Sequence, residues 1–145
     1  MKENRRPEIP MRILFCLCVA LSLTPRWASG DQAIYDDTLE NGWQNWSWDT
    51  GTNFTATSYI HTGSYSVQVS YTAAWGGFYL GQTAFCTSPY ASLNFWVNGG
   101  TQAGRSISVS ASNASGSAPV SIPLNNYIAG GSIAAGAWRQ ATIPL

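Results

Sequence analysis

Apolar and polar residues alternate at a spacing of two in this chain, and they do so only in short runs broken by Gly, Asn, Ser and Pro. A spacing of two places one set of side chains on each face of a strand, whereas a helix would need apolar residues three and four apart. No helical stripe of useful length is present. Tyr65-Ser66-Val67-Gln68-Val69-Ser70-Tyr71 alternates cleanly, with Tyr65, Val67, Val69 and Tyr71 on one side. Leu93, Phe95 and Val97 oppose Asn94 and Trp96, and Ile107-Ser108-Val109-Ser110-Ala111 repeats the pattern. His61-Thr62-Gly63-Ser64, Asn98-Gly99-Gly100 and Ser115-Gly116-Ser117 supply the turns between these runs. Ala33–Asp37, Trp43–Trp48, Phe54–Tyr59, Gly77–Gly81 and Trp138–Ile143 are further expected strands, and Gly130–Gly136 reads as a loop. Together they predict an all-β chain, a sandwich or barrel, in which small residues facing aromatics let two sheets pack closely.

The first thirty residues are expected to be an export signal and not part of the fold. Lys2, Arg5, Arg6 and Arg12 precede the apolar run Ile13–Leu21; Pro25 breaks it, and Ala28-Ser29-Gly30 offers small residues for cleavage before Asp31. That run is too short to span a bilayer, which takes roughly 20 apolar residues. Residues 31–145 then form one domain in a secreted, extracellular protein.

Loss of the leader leaves two basic residues, Arg105 and Arg139, against Asp31, Asp36, Asp37, Glu40 and Asp49. Without a cationic footprint, nucleic acid and anionic membrane are poor partners. Every one of those carboxylates lies at or before Asp49, whereas glycosidic hydrolysis normally sets two across the bond. Catalysis by this chain is therefore not expected. Cys86 is the one cysteine outside the leader, so no internal disulfide forms, and it is expected to be a small buried hydrophobe. Asn45-Trp46-Ser47, Asn53-Phe54-Thr55 and Asn113-Ala114-Ser115 match the glycan acceptor pattern, which arises readily by chance in so Ser-rich a chain.

What the chain has in quantity is Trp and Tyr set among Ser, Thr, Asn and Gly. A sugar ring presents a C–H face that stacks on an indole or phenol, and hydroxyls that need amide, hydroxyl or guanidinium partners. Trp96 and Asn94 are expected to point outward once Leu93, Phe95 and Val97 fill the core. Trp75 sits among Ala73, Ala74, Gly76 and Gly77, which cannot bury it locally. Tyr79 is expected on the same surface as Trp96, and Trp48 as a platform. Trp46 shares the side of Trp48 by period two and is left undecided, while Trp43 and Trp138 read as anchors. Arg105 and Gln44 are candidate hydrogen-bonding residues.

Ile34-Tyr35-Asp36-Asp37, Gly42-Trp43-Gln44-Asn45-Trp46-Ser47-Trp48 and His61-Thr62-Gly63-Ser64-Tyr65-Ser66-Val67 resemble the opening of a carbohydrate-binding module. The group is the galactose-binding-like β-sandwich modules appended to secreted bacterial glycoside hydrolases. Leu93–Gly100 and Trp138–Leu145 resemble its middle and late strands. The resemblance implies a jelly-roll sandwich of two antiparallel sheets, incomplete here at its C-terminus, since such modules continue for further strands. It also implies a structural calcium ion held by Asp36 or Asp37 with carbonyls near Gly63-Ser64, although calcium wants six to eight oxygens. The expected function is non-catalytic binding of a neutral plant or microbial polysaccharide. Two alternatives stay open: a secreted adhesion domain whose aromatics meet protein, and the front part of a glycoside hydrolase whose catalytic domain lies elsewhere.

Overall fold

A computed structural model describes residues 30–112 and 120–145. The leader, the Asn113 acceptor pattern and the Ser115-Gly116-Ser117 turn lie outside the described residues. The described chain is all-β. In order come β1 (Tyr35–Asp36), β2 (Thr38–Leu39), β3 (Gln44–Asn45), β4 (Thr50–Ala56), β5 (Ser66–Tyr71), β6 (Leu80–Gly81) and β7 (Ser92–Asn98). β8 (Ser108–Ser110), β9 (Ser121–Pro123), a 3-10 turn over Leu124–Tyr127 and β10 (Trp138–Pro144) follow. All pairings are antiparallel: β1 with β2, β3 with β6, β4 with β5, β7 with β10 and β8 with β9.

The main core belongs to the C-terminal half. Leu124, Ile128, Ile133, Ala141 and Ile143 are buried, with Leu93, Phe95, Val97, Ile107, Val109, Ile122 and Tyr127 packed round them. Register explains the choice of residues. Phe95 faces Ala141 and Leu93 faces Ile143 across the β7–β10 ladder, so the smallest side chain sits opposite the largest. Thr142 between the two buried positions is exposed, as period-two alternation requires.

The N-terminal half carries a smaller aromatic cluster. Phe54 lies 6.2 Å from Tyr35 and 6.3 Å from Phe78, centroid to centroid, and the Tyr35 hydroxyl donates to the Phe54 carbonyl at 2.6 Å. Burial raises the Tyr35 pKa, and the nearby Asp37 and Asp36 raise it further.

Where the strands differ from expectation, pairing overrides local pattern. The strand expected at Phe54–Tyr59 begins at Thr50 instead, because Thr50, Gly51, Thr52 and Asn53 pair with Tyr71, Ser70, Val69 and Gln68. A register shift between Asn53 and Ala56 then absorbs an extra residue on β4. β9 ends on Pro123, which stands opposite Ser108 at the last rung of its ladder, a place a ring without an N–H tolerates. The Gly130–Gly136 segment is a loop of turns and bends that follows the 3-10 turn at Leu124–Tyr127.

Cys86 corrects an expectation. It is exposed, because the β6–β7 connection passes over the surface without a ladder partner. Its Sγ lies 3.1 Å from the Ser88 hydroxyl, and hydrogen bonding from that side chain and from the Ser88 backbone lowers the thiol pKa.

Candidate functional site

The ladder of β3 and β6 runs on past the two strands. Gln44 pairs with Gly81 and Asn45 with Leu80; the Trp46 amide then donates to the Tyr79 carbonyl at 2.9 Å, and Trp48 bridges Gly77. This single register sends Gln44, Trp46 and Trp48 to one face, opposite Gly81, Tyr79 and Gly77. The other face carries Phe78, which packs on Phe54 and so turns the first face outward.

Two glycines shape that outward face. A Cβ placed on Gly77 would stand 2.4 Å from Trp48 ring carbons, and one on Gly81 would stand 2.3 Å from a Trp46 ring carbon. The benzo ring of each indole therefore occupies the space that any other residue would fill. Trp46 is 50 % exposed and Trp48 53 %, so the side turned from the backbone meets solvent. Tyr79 stands between them, 5.8 Å from Trp46 and 6.2 Å from Trp48, nearly edge-on to both at 66° and 70°.

Hydrogen bonds lock the two indoles. Trp46 Nε1 donates to Gln44 Oε1 at 3.1 Å, and Trp48 Nε1 donates to the Trp75 carbonyl at 2.8 Å. The second bond ties the face to the 72–77 turn, where Trp75 is 93 % exposed and adopts a φ of 67°. A bulky residue in the left-handed region is an outlier of the kind that gathers at functional sites. No residue of the face bears a formal charge.

Trp96 belongs to a different patch. Its ring stacks on His61 at 3.9 Å and 20°, and His61 meets the edge of Trp138 at 5.7 Å. Trp138 in turn donates its indole N–H to the Ile60 carbonyl at 3.2 Å, which makes it an anchor of its strand. Trp96 is 44 % exposed, pairs with Gln140 and shares its face with Asn94, whose amide donates to Ser92 Oγ at 2.8 Å. Tyr79, expected beside Trp96, instead packs against Trp46 and Trp48, because the β3–β6 ladder claims it. Arg105 is exposed in the β7–β8 connection and bonds Gln102 at 3.0 Å, with no hydrogen bond to either aromatic patch among the described residues.

The expected site residues thus divide: Trp48, Tyr79 and Trp75 come together with Trp46, while Trp96 and Asn94 stand with His61 and Trp138. Sequence reasoning left Trp46 undecided and missed the glycines. The signal was there in the pairing of Trp46 and Trp48 with a segment that has Gly at both ends and Tyr at its centre.

Asp37 does meet the 63–65 turn, but through hydrogens. Its carboxylate accepts from the amides of Ser64 at 2.9 Å and Tyr65 at 2.8 Å, and those backbone bonds lower its pKa. Gly63, at φ 71°, passes so close that a Cβ would stand 2.5 Å from Asp37 Oδ1. What the 63–65 turn directs at Asp37 is amide hydrogens, which hold the carboxylate in place. Asp36 lies exposed on β1.

No protein-family model matches this sequence, and no curated protein does.

Proposed function

We propose that this chain is an exported, non-catalytic carbohydrate-binding module that grips a neutral polysaccharide on the Trp46–Tyr79–Trp48 face. The observation that carries the reading is the pair of indoles laid on Gly81 and Gly77. Each offers an exposed ring face held in place before any ligand arrives, so little side-chain freedom is lost on binding. Stacking on C–H faces needs such a surface, and the lack of formal charge suits a neutral polymer. Trp75 extends the row at the Trp48 end. Trp96 and Asn94 form a second aromatic and amide surface that would add contact with the same polymer. The ribbons are taken to assemble as a galactose-binding-like jelly-roll sandwich over residues 31–145, and the role is to hold an associated glycoside hydrolase near its substrate. The reading requires no calcium ion, because stacking on uncharged rings uses no cation.

Retention on insoluble cellulose, xylan, mannan and β-glucan is the direct test. Trp46→Ala and Trp48→Ala should each weaken retention by about tenfold or more, the equivalent of roughly 1.4 kcal/mol, while leaving the circular dichroism unchanged. A folded chain retained by none of these polymers would end the proposal. Soluble oligosaccharide should compete for the site, which separates this reading from an adhesion surface built for protein.

A further inference from the structure

We infer that the Trp46–Tyr79–Trp48 face takes the interior of an extended polysaccharide chain and ignores its ends, an inference that rests on the saccharide-binding reading above. Recognition of a chain end needs two things: a wall that stops the chain, and free polar groups for the hydroxyls that only a terminal sugar offers. The face supplies no wall and few such groups.

First, it has no wall. Trp46 and Trp48 stand two residues apart on one edge, about 6.8 Å along the strand. Gly81 and Gly77 keep the backbone opposite them bare, so the rings lie down on the ribbon where a side chain would otherwise stand up. Trp75, at 93 % exposure, has almost nothing packed against it, and its carbonyl holds the Trp48 indole N–H at the end of the face. Two hollows of the described surface lie elsewhere. One, of about 600 Å³, is lined by residues that include Asp31, Asn41, Cys86 and Tyr90; the other, of about 260 Å³, by Gly51–Asn53, Gln68 and Ser70. Neither takes a residue from this face.

Second, the indole N–H groups of both platform tryptophans are already engaged. The Trp46 indole N–H is given to Gln44 and the Trp48 indole N–H to the Trp75 carbonyl. Beyond ring surface, the side-chain polar groups left on the face and beside it are few: the Tyr79 hydroxyl, the Gln44 amide nitrogen and the indole N–H of the exposed Trp75. Ring stacking repeats with every sugar unit, whereas hydroxyl readout distinguishes a terminus. Two indoles along one line therefore need at least two sugar units to be filled, and a third ring at Trp75 rewards a longer chain.

The test is calorimetry on the folded chain with cello-, xylo- and manno-oligosaccharides from monosaccharide to hexasaccharide. Each is used intact and with its reducing-end sugar opened to the alditol, beside retention on the parent polymers. Affinity should climb by about tenfold or more from disaccharide to hexasaccharide. Opening the terminal ring of the hexasaccharide should change its affinity by less than about twofold. Trp46→Ala and Trp48→Ala should each flatten the dependence on length. A disaccharide that binds as tightly as the hexasaccharide, or an alditol that loses tenfold, overturns the inference while polymer retention keeps the binding reading alive. Retention on no polymer removes both.

Discussion

At the scale of single residues, glycine decides what this surface presents. Gly81 sits in β6 with ordinary strand geometry, so its bareness serves the Trp46 ring and not the backbone. Gly81→Ala would place a methyl 2.3 Å from the nearest ring carbon, and the indole must lift or rotate away. Polysaccharide retention should fall by about tenfold with the far-ultraviolet spectrum kept. Unchanged retention would show that the flat seat of Trp46 is irrelevant to binding. Asp37 makes a different kind of case. Its folded pKa is depressed by the Tyr65 and Ser64 amides, so the folded chain holds that proton less tightly than the unfolded one. The stabilisation is thus complete above the unfolded value of about 4 and fades as pH falls through the lower folded value. Asp37→Asn should lower the melting temperature at neutral pH, and the gap from wild type should close as the pH drops below about 4. Millimolar calcium or chelator should leave the midpoint of either protein where it is. A calcium-dependent rise would mean that the amide-lined cradle had been misassigned.

At the scale of elements, β10 offers the sharpest contrast between neighbours. Ile143 is buried against the main core while Thr142 beside it faces water. Ile143→Ala should cost about 2–5 kcal/mol and Thr142→Ala no more than about 0.5 kcal/mol, read as shifts of the urea midpoint. Equal effects would break the assigned alternation. The face of β7 was legible in the sequence because Leu93, Phe95 and Val97 put a large apolar residue at each inward position, whereas β10 answers Phe95 with the small Ala141. β4 was not, since Thr50–Asn53 has no apolar residue and takes its strand conformation from pairing with β5. β9 was hidden by Pro123, which local pattern reads as a break although the last rung of a ladder tolerates it. Cys86 misled because burial statistics for thiols say nothing about a connection that crosses the surface. The exposure of Trp75 was legible from the small residues round it and that of Trp48 from period-two spacing, but the grouping of Tyr79 with Trp46 depends on which strand meets which. Alternation within one strand cannot supply that.

At the scale of the whole molecule, the main buried core and the proposed binding face occupy different halves. The buried aliphatic cluster gathers β7 to β10 and the 3-10 turn, whereas Trp46, Trp48, Tyr79 and Trp75 ride on the N-terminal ladder. Platform substitutions should therefore change binding without moving the unfolding midpoint far. Charge separates the halves as well. From Thr50 onward the formal charges are Arg105 and Arg139, and the carboxylates from Asp31 to Asp49 make residues 31–145 net acidic. A polyanion would meet no cationic face and a net repulsion, and its binding would carry the steep salt dependence of counterion release. A neutral chain stacked on uncharged rings meets neither effect, and screening leaves its contacts untouched. Retention on the preferred neutral polymer should then change by less than about twofold between 50 mM and 500 mM salt, against the 10³–10⁵-fold losses seen when several phosphates are contacted. Retention that collapses with salt, or preference for a uronate polymer over its neutral counterpart, would transfer the binding energy from ring stacking to charge and leave the seated indoles without their assigned work.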